Sequence, residues 1–173
     1  MKKYMYLVLF VFFGWSQVST AQVANSSYKL MLKTLLSHTV PEVVVTDAPT
    51  PSENIYYLDA REKREYEVSH IQDAIWIGYD DFKGERIADI PKDSKVIVYC
   101  SVGYRSERIS EKLLEMGFSD VSNLYGGLFE WMNEEKEVVT GEGTEQTPTN
   151  QVHAYNRIWG VWLDVDGERK VYK

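Results

Sequence analysis

The stretch of sequence that decides the fold runs from residue 96 to residue 106 and reads Val96-Ile97-Val98-Tyr99-Cys100-Ser101-Val102-Gly103-Tyr104-Arg105-Ser106. Its β-branched apolar half predicts a buried strand ending at Cys100, and a glycine-containing loop then leads to a helix predicted from Ser106 to Met116. This order places a thiol at the carboxyl end of a strand and against the N-terminus of a helix. Backbone N–H groups and the helix dipole favour an anion there, so the sequence predicts a thiolate nucleophile.

Cys100 is the only cysteine among the 173 residues. A buried, inert side chain is the usual alternative for a lone cysteine, but the strand–loop–helix context favours the nucleophile. A disulfide within one chain needs two cysteines. Cys100 is therefore free, paired with another chain, or chemically modified.

The segment 42–138 alternates short apolar strands with helices. This pattern predicts an α/β fold with a central parallel sheet and helices on both faces. One predicted strand covers residues 54–59 and ends at Asp59, and another covers residues 95–100 and ends at Cys100. Reactive groups in such sheets lie at the carboxyl ends of the strands, so we expect Asp59 and Cys100 at the same edge.

The N-terminal residues 1–21 have the features of a secretory signal peptide. Lys2 and Lys3 precede a continuous apolar run over residues 4–15, and Ser19-Thr20-Ala21 supplies small residues for cleavage. We therefore expect a mature chain that begins near Gln22, is periplasmic or secreted, and has no stable membrane span. An uncleaved anchor is the alternative, although the run is shorter than the roughly 20 residues of a spanning helix.

The segments that flank the predicted domain differ from it in composition. Residues 22–41 form a leader with a helical apolar stripe, and residues 139–173 form a linker and a C-terminal extension. In the extension, Asp166-Gly167 between two apolar-aromatic segments predicts a β-hairpin. Its residues Trp159, Trp162 and Tyr172 are expected to pack on the main domain, with an aromatic patch for a partner as the alternative.

The charge balance excludes one class of function. The chain has 19 basic and 26 acidic residues, a formal net charge of −7. A protein that binds nucleic acid without regard to sequence needs a basic surface. We therefore expect no nucleic-acid partner.

Four segments in order resemble the single-domain rhodanese sulfurtransferases, and together they cover roughly residues 42–136. The loop from Cys100 to Ser106 is similar to the C-x-x-G-x-R-S active-site loop of that family. The other three segments resemble its L-D-x-R…E-[FY], H-I-x-G-A-x and L-x-G-G-x-x-x-W motifs. They are Leu58-Asp59-Ala60-Arg61 with Glu65-Tyr66, His70-Ile71-Gln72-Asp73-Ala74-Ile75, and Leu124-Tyr125-Gly126-Gly127-Leu128-Phe129-Glu130-Trp131.

The resemblance implies transfer of a sulfane sulfur through a persulfide on Cys100. The donor would be thiosulfate or a persulfide or polysulfide, and the acceptor cyanide, a thiol or a protein. Successive loop amides can hold the anionic persulfide, and a guanidinium suits an anionic donor. The predicted substrate-binding residues are Ser101, Val102, Gly103, Tyr104, Arg105 and Ser106.

Residues outside the loop are expected to support it. The resemblance suggests that Asp59 and Arg61 belong to a network that orders the loop, although a plain salt bridge is the alternative. Arg105 has an alternative as well, a structural ion pair with a carboxylate. We interpret His70 as a structural hydrogen-bonding residue, because a stabilised thiolate needs no general base. The chemistry requires no metal and no organic cofactor.

Two other classes of function remain open at this point. One is a persulfide carrier or interaction module without turnover. The other is a cysteine phosphatase or arsenate reductase on the same fold, in which the phosphatase loop is one residue longer. Cys100 to Arg105 spans six residues, the length found in sulfurtransferases, and a tetrahedral phosphate needs a wider loop.

Overall fold

The computed structural model describes residues 25–173, and its centre is a five-stranded parallel sheet. The strands lie in the order β1-β5-β4-β2-β3, so β4 is central. Every neighbouring pair in this sheet is parallel. The five strands are β1 (Glu42–Val44), β2 (Ile55–Asp59), β3 (Ile75–Trp76), β4 (Lys95–Tyr99) and β5 (Asp120–Tyr125).

Helices cover both faces of the sheet, as a parallel sheet requires. They are α1 (Ser26–Leu35), α2 (Lys63–Val68), α3 (Tyr104–Glu115) and α4 (Gly127–Asn133). One core contains Ile109 and Leu113 of α3 packed with Val96 and Val98 of β4. The other contains residues of α1 and α4 packed with Ile97 and Tyr99 on the opposite face of β4. The predicted fold class, a parallel sheet with helices on both faces, is confirmed.

The register between β2 and β4 positions the edge that matters for function. Asp59 lies opposite Tyr99, so the chain leaves both strands at the same level. Cys100 follows Tyr99 directly. The sequence prediction that Asp59 and Cys100 share one edge of the sheet is therefore correct, because parallel strands end on the same side.

The helix after the cysteine begins earlier than the sequence predicts. The prediction placed its start at Ser106, whereas α3 begins at Tyr104. Gly103 caps this helix with φ at 111°, a left-handed conformation that a side chain disfavours. The chain therefore turns into the helix within three residues of Cys100, and Ser106 lies in the first turn.

The predicted C-terminal hairpin is wrong. The segment contains β8 (Val152–His153) and β9 (Lys170–Val171), which pair in parallel, with short 3₁₀ turns between them. Val152 and Leu163 are buried in the core beside α1 and α4, and Trp162 stacks on Tyr28 with ring centroids 5.7 Å apart. An isolated hairpin would leave these apolar side chains in water, whereas the observed path buries them.

The segment predicted as a linker also has regular structure. β6 (Val138–Thr140) and β7 (Thr147–Thr149) form an antiparallel pair. The N–H of Val139 donates to the carbonyl oxygen of His70, and the N–H of His70 donates in return to Val139, each at 2.9 Å. These bonds attach the segment to the loop after α2.

The predicted signal peptide lies outside the described residues. Between residues 25 and 173, none of the helices has both the length and the apolar character of a membrane span. The leader helix predicted within residues 22–41 is present as α1, whose N-cap residue Asn25 accepts hydrogen bonds from the N–H groups of Ser27 and Tyr28.

Candidate active site

The loop after β4 wraps the sulfur of Cys100. The Cys100 side chain is buried, and the N–H of Gly103 donates to its Sγ at 3.1 Å. The left-handed turn at Gly103 directs this N–H back toward the strand end. Sγ therefore lies in a concavity formed by backbone donors, which favours an anion.

The pKa of the Cys100 thiol is lowered from its ordinary value by its surroundings. Burial acts in the opposite direction, because desolvation penalises the thiolate, but other contributions exceed it. They are the positive charge of Arg105 and hydrogen bonds from Ser106 and from the backbone of Val102. The loop thus stabilises the thiolate, the nucleophilic form of the side chain.

Arg105 is held by a buried carboxylate on α2. Its Nη1 donates to Oε2 of Glu65 at 2.7 Å and its Nη2 donates to Oε1 at 2.9 Å. The hydroxyl of Ser101 donates to the same Oε1 at 2.9 Å. The bidentate pair fixes the plane of the guanidinium, and the structural ion pair considered for Arg105 is present. Arg105 still lines the pocket above Cys100.

Glu65 is fully buried, and its partners keep it ionised. Desolvation alone would raise its pKa, but the hydrogen bonds and charge of Arg105, the charge of Arg61 and the Glu62 backbone lower it to about 2. Glu65 also belongs to the capping box of α2, since it accepts from the N–H of Glu62 at 3.0 Å. Glu65 lies within one of the four motifs but was not among the predicted site residues, although a glutamate at the third position of a helix is a capping signal.

Asp59 and Arg61 form a second buried ion pair behind the loop. The Arg61 Nη2 donates to Asp59 Oδ2 at 2.5 Å and to the carbonyl oxygen of Ser69 at 2.6 Å. The indole N–H of Trp76 donates to the carbonyl oxygen of Arg61 at 2.9 Å. This pair connects the end of β2 to the segment before His70, so its direct contacts are structural.

Two further contacts fix the loop from the other side. The Asn123 side-chain amide donates to the carbonyl oxygen of Gly103 at 3.1 Å, and the Ser106 hydroxyl donates to Oδ1 of Asn123 at 2.7 Å. Asn123 was not among the predicted site residues, because a single polar residue inside an apolar strand belongs to no motif. Its full burial in β5 becomes apparent only in the structure.

The N-terminus of α4 hydrogen-bonds to the backbone at the end of β4. The N–H of Leu128 donates to the carbonyl oxygen of Cys100 at 2.8 Å, and the N–H of Phe129 donates to that of Ser101 at 3.0 Å. A Cβ at Gly127 would lie 2.4 Å from the Cys100 carbonyl oxygen. The glycine is therefore required for this close approach of two backbones.

Cys100 lies in the lining of a pocket of about 650 Å³, within the size range of small-molecule sites. Of the other residues predicted to bind substrate, four also line it: Ser101, Val102, Tyr104 and Arg105. Gly103 and Ser106 do not line the pocket; they hold the loop in shape, since the Ser106 hydroxyl lies within hydrogen-bond distance of the carbonyl oxygen of Gly103. The remaining lining residues are Leu35, Glu62, Lys63, Trp76, Tyr79, Asp80, Asp81, Tyr155 and Trp159.

His70 has a structural environment. Its ring stacks on Tyr66 at a centroid distance of 3.8 Å, and its Nδ1 lies 3.0 Å from the carbonyl oxygen of Tyr66. Burial lowers its pKa, which favours the neutral ring. These contacts agree with the interpretation of His70 as a hydrogen-bonding residue of the fold.

Curated relatives share the central part of the chain. A tRNA uridine(34) hydroxylase of Cytophaga hutchinsonii is 34% identical over 83 residues, which are 46% of this chain and 27% of that protein. One of Photorhabdus laumondii is 33% identical over 86 residues, 47% of this chain and 24% of that protein. The match therefore spans about a quarter of the length of these relatives.

Solved structures share the fold. The BH2092 protein of Bacillus halodurans has a TM-score of 0.52 and 26% identity, covering 69% of this chain and 86% of its own. A thiosulfate sulfurtransferase of Pseudomonas aeruginosa has a TM-score of 0.52 and 20% identity, covering 69% of this chain and 24% of its own. At that identity the second likeness shows the fold alone.

The family profile of the rhodanese-like domain matches residues 46–134, just over half of the chain. This range contains the ion pair behind the loop, Glu65, Cys100 with its loop, and the close approach at Gly127. The resemblance that the four motifs indicated is thereby confirmed. The chain belongs to the rhodanese-like domain family.

Proposed function

We propose that this protein is a sulfurtransferase in which Cys100 accepts a sulfane sulfur and passes it on. The observation that carries the proposal is the Cys100 thiolate, which a backbone N–H and the Arg105 charge stabilise in the lining of an accessible pocket. The donor class is thiosulfate, a persulfide or a polysulfide. The acceptor is a thiol or cyanide, and a protein thiol is included.

The proposed reaction has two displacement steps. The Cys100 thiolate attacks the terminal sulfur of the donor, a new S–S bond forms, and the donor's own S–S bond breaks. With thiosulfate, sulfite leaves with the electron pair and Cys100 becomes an anionic persulfide. Cyanide then attacks the outer sulfur, thiocyanate leaves, and the Cys100 thiolate returns. The loop amides and Arg105 stabilise the negative charge in both states.

The curated relatives are named for a tRNA substrate, but we propose small sulfur compounds for this chain. The match covers about a quarter of those proteins, so their whole activity does not transfer with the domain. A net charge of −7 also opposes a polyanionic partner. Phosphate chemistry is less favoured as well, because the loop from Cys100 to Arg105 has only six residues.

The test is the mass of the intact protein after incubation with thiosulfate and removal of excess donor. We expect an added mass of one sulfur atom that disappears with cyanide as thiocyanate forms. Cys100→Ser should show neither event while retaining the circular dichroism spectrum of the wild type. A stable persulfide that no acceptor removes would indicate a carrier, and rapid hydrolysis of aryl phosphates without sulfur loading would exclude the proposal.

We also propose that the protein acts outside the cytoplasm. Support comes from the sequence of residues 1–21, with its two lysines, apolar run and small residues before Gln22. N-terminal sequencing of the natively expressed protein is the test. A mature N-terminus at or near Gln22 is expected, and an intact Met1 would indicate the anchored alternative.

A further inference from the structure

Part of the wall of the pocket above Cys100 is formed by residues outside the segment 46–134 that the rhodanese-like family model matches. Tyr155 and Trp159 line it, and both follow the last matched residue by more than twenty positions. The C-terminal extension therefore contributes directly to the candidate site. Together with Trp76, Tyr79 and Tyr104, these two residues give the pocket five aromatic side chains.

The extension fixes the positions of both residues. The N–H of Tyr155 donates to Nδ1 of the buried His153 at 3.1 Å, and Tyr155 adopts a left-handed φ of 60°. The Tyr155 ring also lies against Arg105, with the guanidinium carbon 5.4 Å from the ring centroid. Because a left-handed conformation is costly for a tyrosine, the contacts around Tyr155 must stabilise it.

Trp159 has a comparable anchor. Its N–H donates to the Asn156 side-chain oxygen at 3.0 Å, and its ring packs against the core next to α1 and α4. Trp159 thus packs against the core and also lines the pocket. Its indole ring gives the pocket a flat apolar surface.

The charges around the pocket favour a singly charged ligand. Two basic residues line it, Lys63 and Arg105, against three acidic ones, Glu62, Asp80 and Asp81. Arg105 is in addition paired with the buried Glu65. Arg105 can contact one anionic group, whereas Lys63 is already paired with Glu142, so the second negative charge of thiosulfate gains little from this lining. So small an ion also leaves most of the volume of about 650 Å³ unfilled.

We infer that Tyr155 and Trp159 are specificity-determining residues, which select a singly charged organic sulfane-sulfur donor with a flat apolar group over inorganic thiosulfate. The inference rests on the proposed sulfurtransferase function. An aryl thiosulfonate is a suitable probe of this class. The Cys100 thiolate attacks its terminal sulfur, the sulfinate leaves with the electron pair, and Cys100 carries the persulfide as before.

The experiment compares benzenethiosulfonate, methanethiosulfonate and thiosulfate as donors to cyanide. Each kcat/KM is divided by the rate constant of the same donor with cyanide alone, which removes intrinsic reactivity. We expect the aryl donor to exceed the methyl donor by about tenfold or more, since an apolar pocket discriminates by this order for added apolar groups. Thiosulfate should rank below both. An aryl-to-methyl ratio near one would overturn the inference.

Matched variants then locate the selectivity. Trp159→Leu keeps an apolar side chain against the core but removes the flat surface, and should lower the aryl-to-methyl ratio about fivefold or more. Trp162→Leu is the control, because Trp162 lies in the same 3₁₀ turn but packs on Tyr28; it should keep the wild-type ratio. An unchanged ratio in folded Trp159→Leu would overturn the assignment of Trp159.

The outcomes separate this inference from the proposed function. Loading of Cys100 by all three donors with similar normalised rates would leave the sulfurtransferase in place and remove the selectivity. Failure of every donor to load Cys100 would remove both. The wild-type comparison alone decides the selectivity if Trp159→Leu does not fold, as judged by circular dichroism.

Discussion

Two opposing effects set the pKa of the Cys100 thiol. Burial raises its pKa, and the charge of Arg105 together with the loop hydrogen bonds lowers it by more. A fully solvated thiol keeps its ordinary pKa, so a smaller fraction of it would be ionised at a given pH. At this position the protein replaces water with fixed donors, which stabilise the thiolate and would stabilise the proposed persulfide in the same way.

Arg105→Ala should move the pH dependence of sulfur loading upward. In the proposed reaction the thiolate is the attacking form, so we expect the rate of loading to rise with pH through the lowered pKa of Cys100. Without the Arg105 charge the pKa increases, so the midpoint shifts to higher pH. Loss of a charge-assisted contact of about 1.5–3 kcal/mol also predicts a KM for thiosulfate raised roughly tenfold or more.

The measurement is the rate of thiocyanate formation against pH and donor concentration. Arg105→Lys keeps a positive charge and should restore part of the midpoint shift. Arg108→Ala serves as the control, because Arg108 lies one turn along α3, is partly buried and pairs with Glu111. An unchanged midpoint and an unchanged KM in Arg105→Ala would limit Arg105 to a purely structural role.

Glu65 links the site to stability in acid. Its folded-state pKa of about 2 lies below the ordinary value of 4.5, so the folded state binds this proton less readily than the unfolded chain does. Its contribution is complete above the ordinary value and is lost as the pH falls from about 4.5 toward 2. The magnitude is roughly 3 kcal/mol.

Urea unfolding at several pH values tests this contribution. Glu65→Gln should lower the free energy of unfolding at neutral pH and flatten its decline in acid. Glu67→Gln changes a carboxylate on the same helix and should preserve the wild-type profile. A Glu65→Gln profile that runs parallel to that of the wild type would show that other groups cause the acid sensitivity.

At the scale of elements, the site depends on where two helices begin. α3 begins after the left-handed Gly103, which directs its first N–H groups toward Cys100. α4 begins after the left-handed Gly126, and its N–H groups bind the carbonyl oxygens of Cys100 and Ser101. The two N-termini thus hold the strand end from both sides, one by its sulfur and the other by its backbone.

Gly127→Ala should destabilise the protein and disturb the site. The added methyl group would overlap the Cys100 carbonyl oxygen, and Gly127 has a left-handed φ of 58°. Strain and overlap together predict a loss of about 3 kcal/mol or more in the free energy of unfolding. Sulfur loading should decline as well, because the strand end must move.

Gly117→Ala is the matched control for this element. Gly117 also has a left-handed φ, at 91°, but an added Cβ meets no atom within 4 Å. Chemical denaturation should show a loss of about 1–2 kcal/mol from strain alone and unchanged sulfur loading. Equal losses of unfolding free energy in the two variants would mean that the overlap with the Cys100 carbonyl oxygen adds no destabilisation.

At the scale of the whole molecule, the C-terminal extension completes the core. Val152, Ala154 and Leu163 are buried among residues of α1, α4 and the sheet. Residues outside the matched segment 46–134 therefore cover part of the sheet face on which α4 packs. The same extension brings Tyr155 and Trp159 to the pocket.

Leu163→Ala should cost about 2–5 kcal/mol of folding stability, because it opens a cavity in the core. Val161→Ala, two residues away in the same extension, removes an exposed side chain and should change stability by less than about 0.5 kcal/mol. Thermal or chemical denaturation measures both. A Leu163→Ala variant as stable as Val161→Ala would show that the extension is not part of the core.

The sequence by itself determined the parallel sheet, its functional edge and the position of Cys100 at that edge. Alternating short strands and helices are enough to specify a parallel sheet, and parallel strands end on one side, so Asp59 and Cys100 had to meet there. The loop after Cys100 was also predictable, because its glycine, its arginine and the helix that follows are adjacent in sequence. All of these features come from residues that lie close together in the sequence.

The tertiary structure decided everything that depends on distant residues. Glu65 reaches Arg105 across 40 positions, and Asn123 reaches Gly103 across 20, and neither contact leaves a periodic pattern. The hairpin prediction failed for a related reason. Asp166-Gly167 favours a tight turn locally, but burying Val152 and Leu163 against the core stabilises a different path. Hydrophobic burial outweighs a turn preference, and only the folded chain shows which surfaces are left to cover.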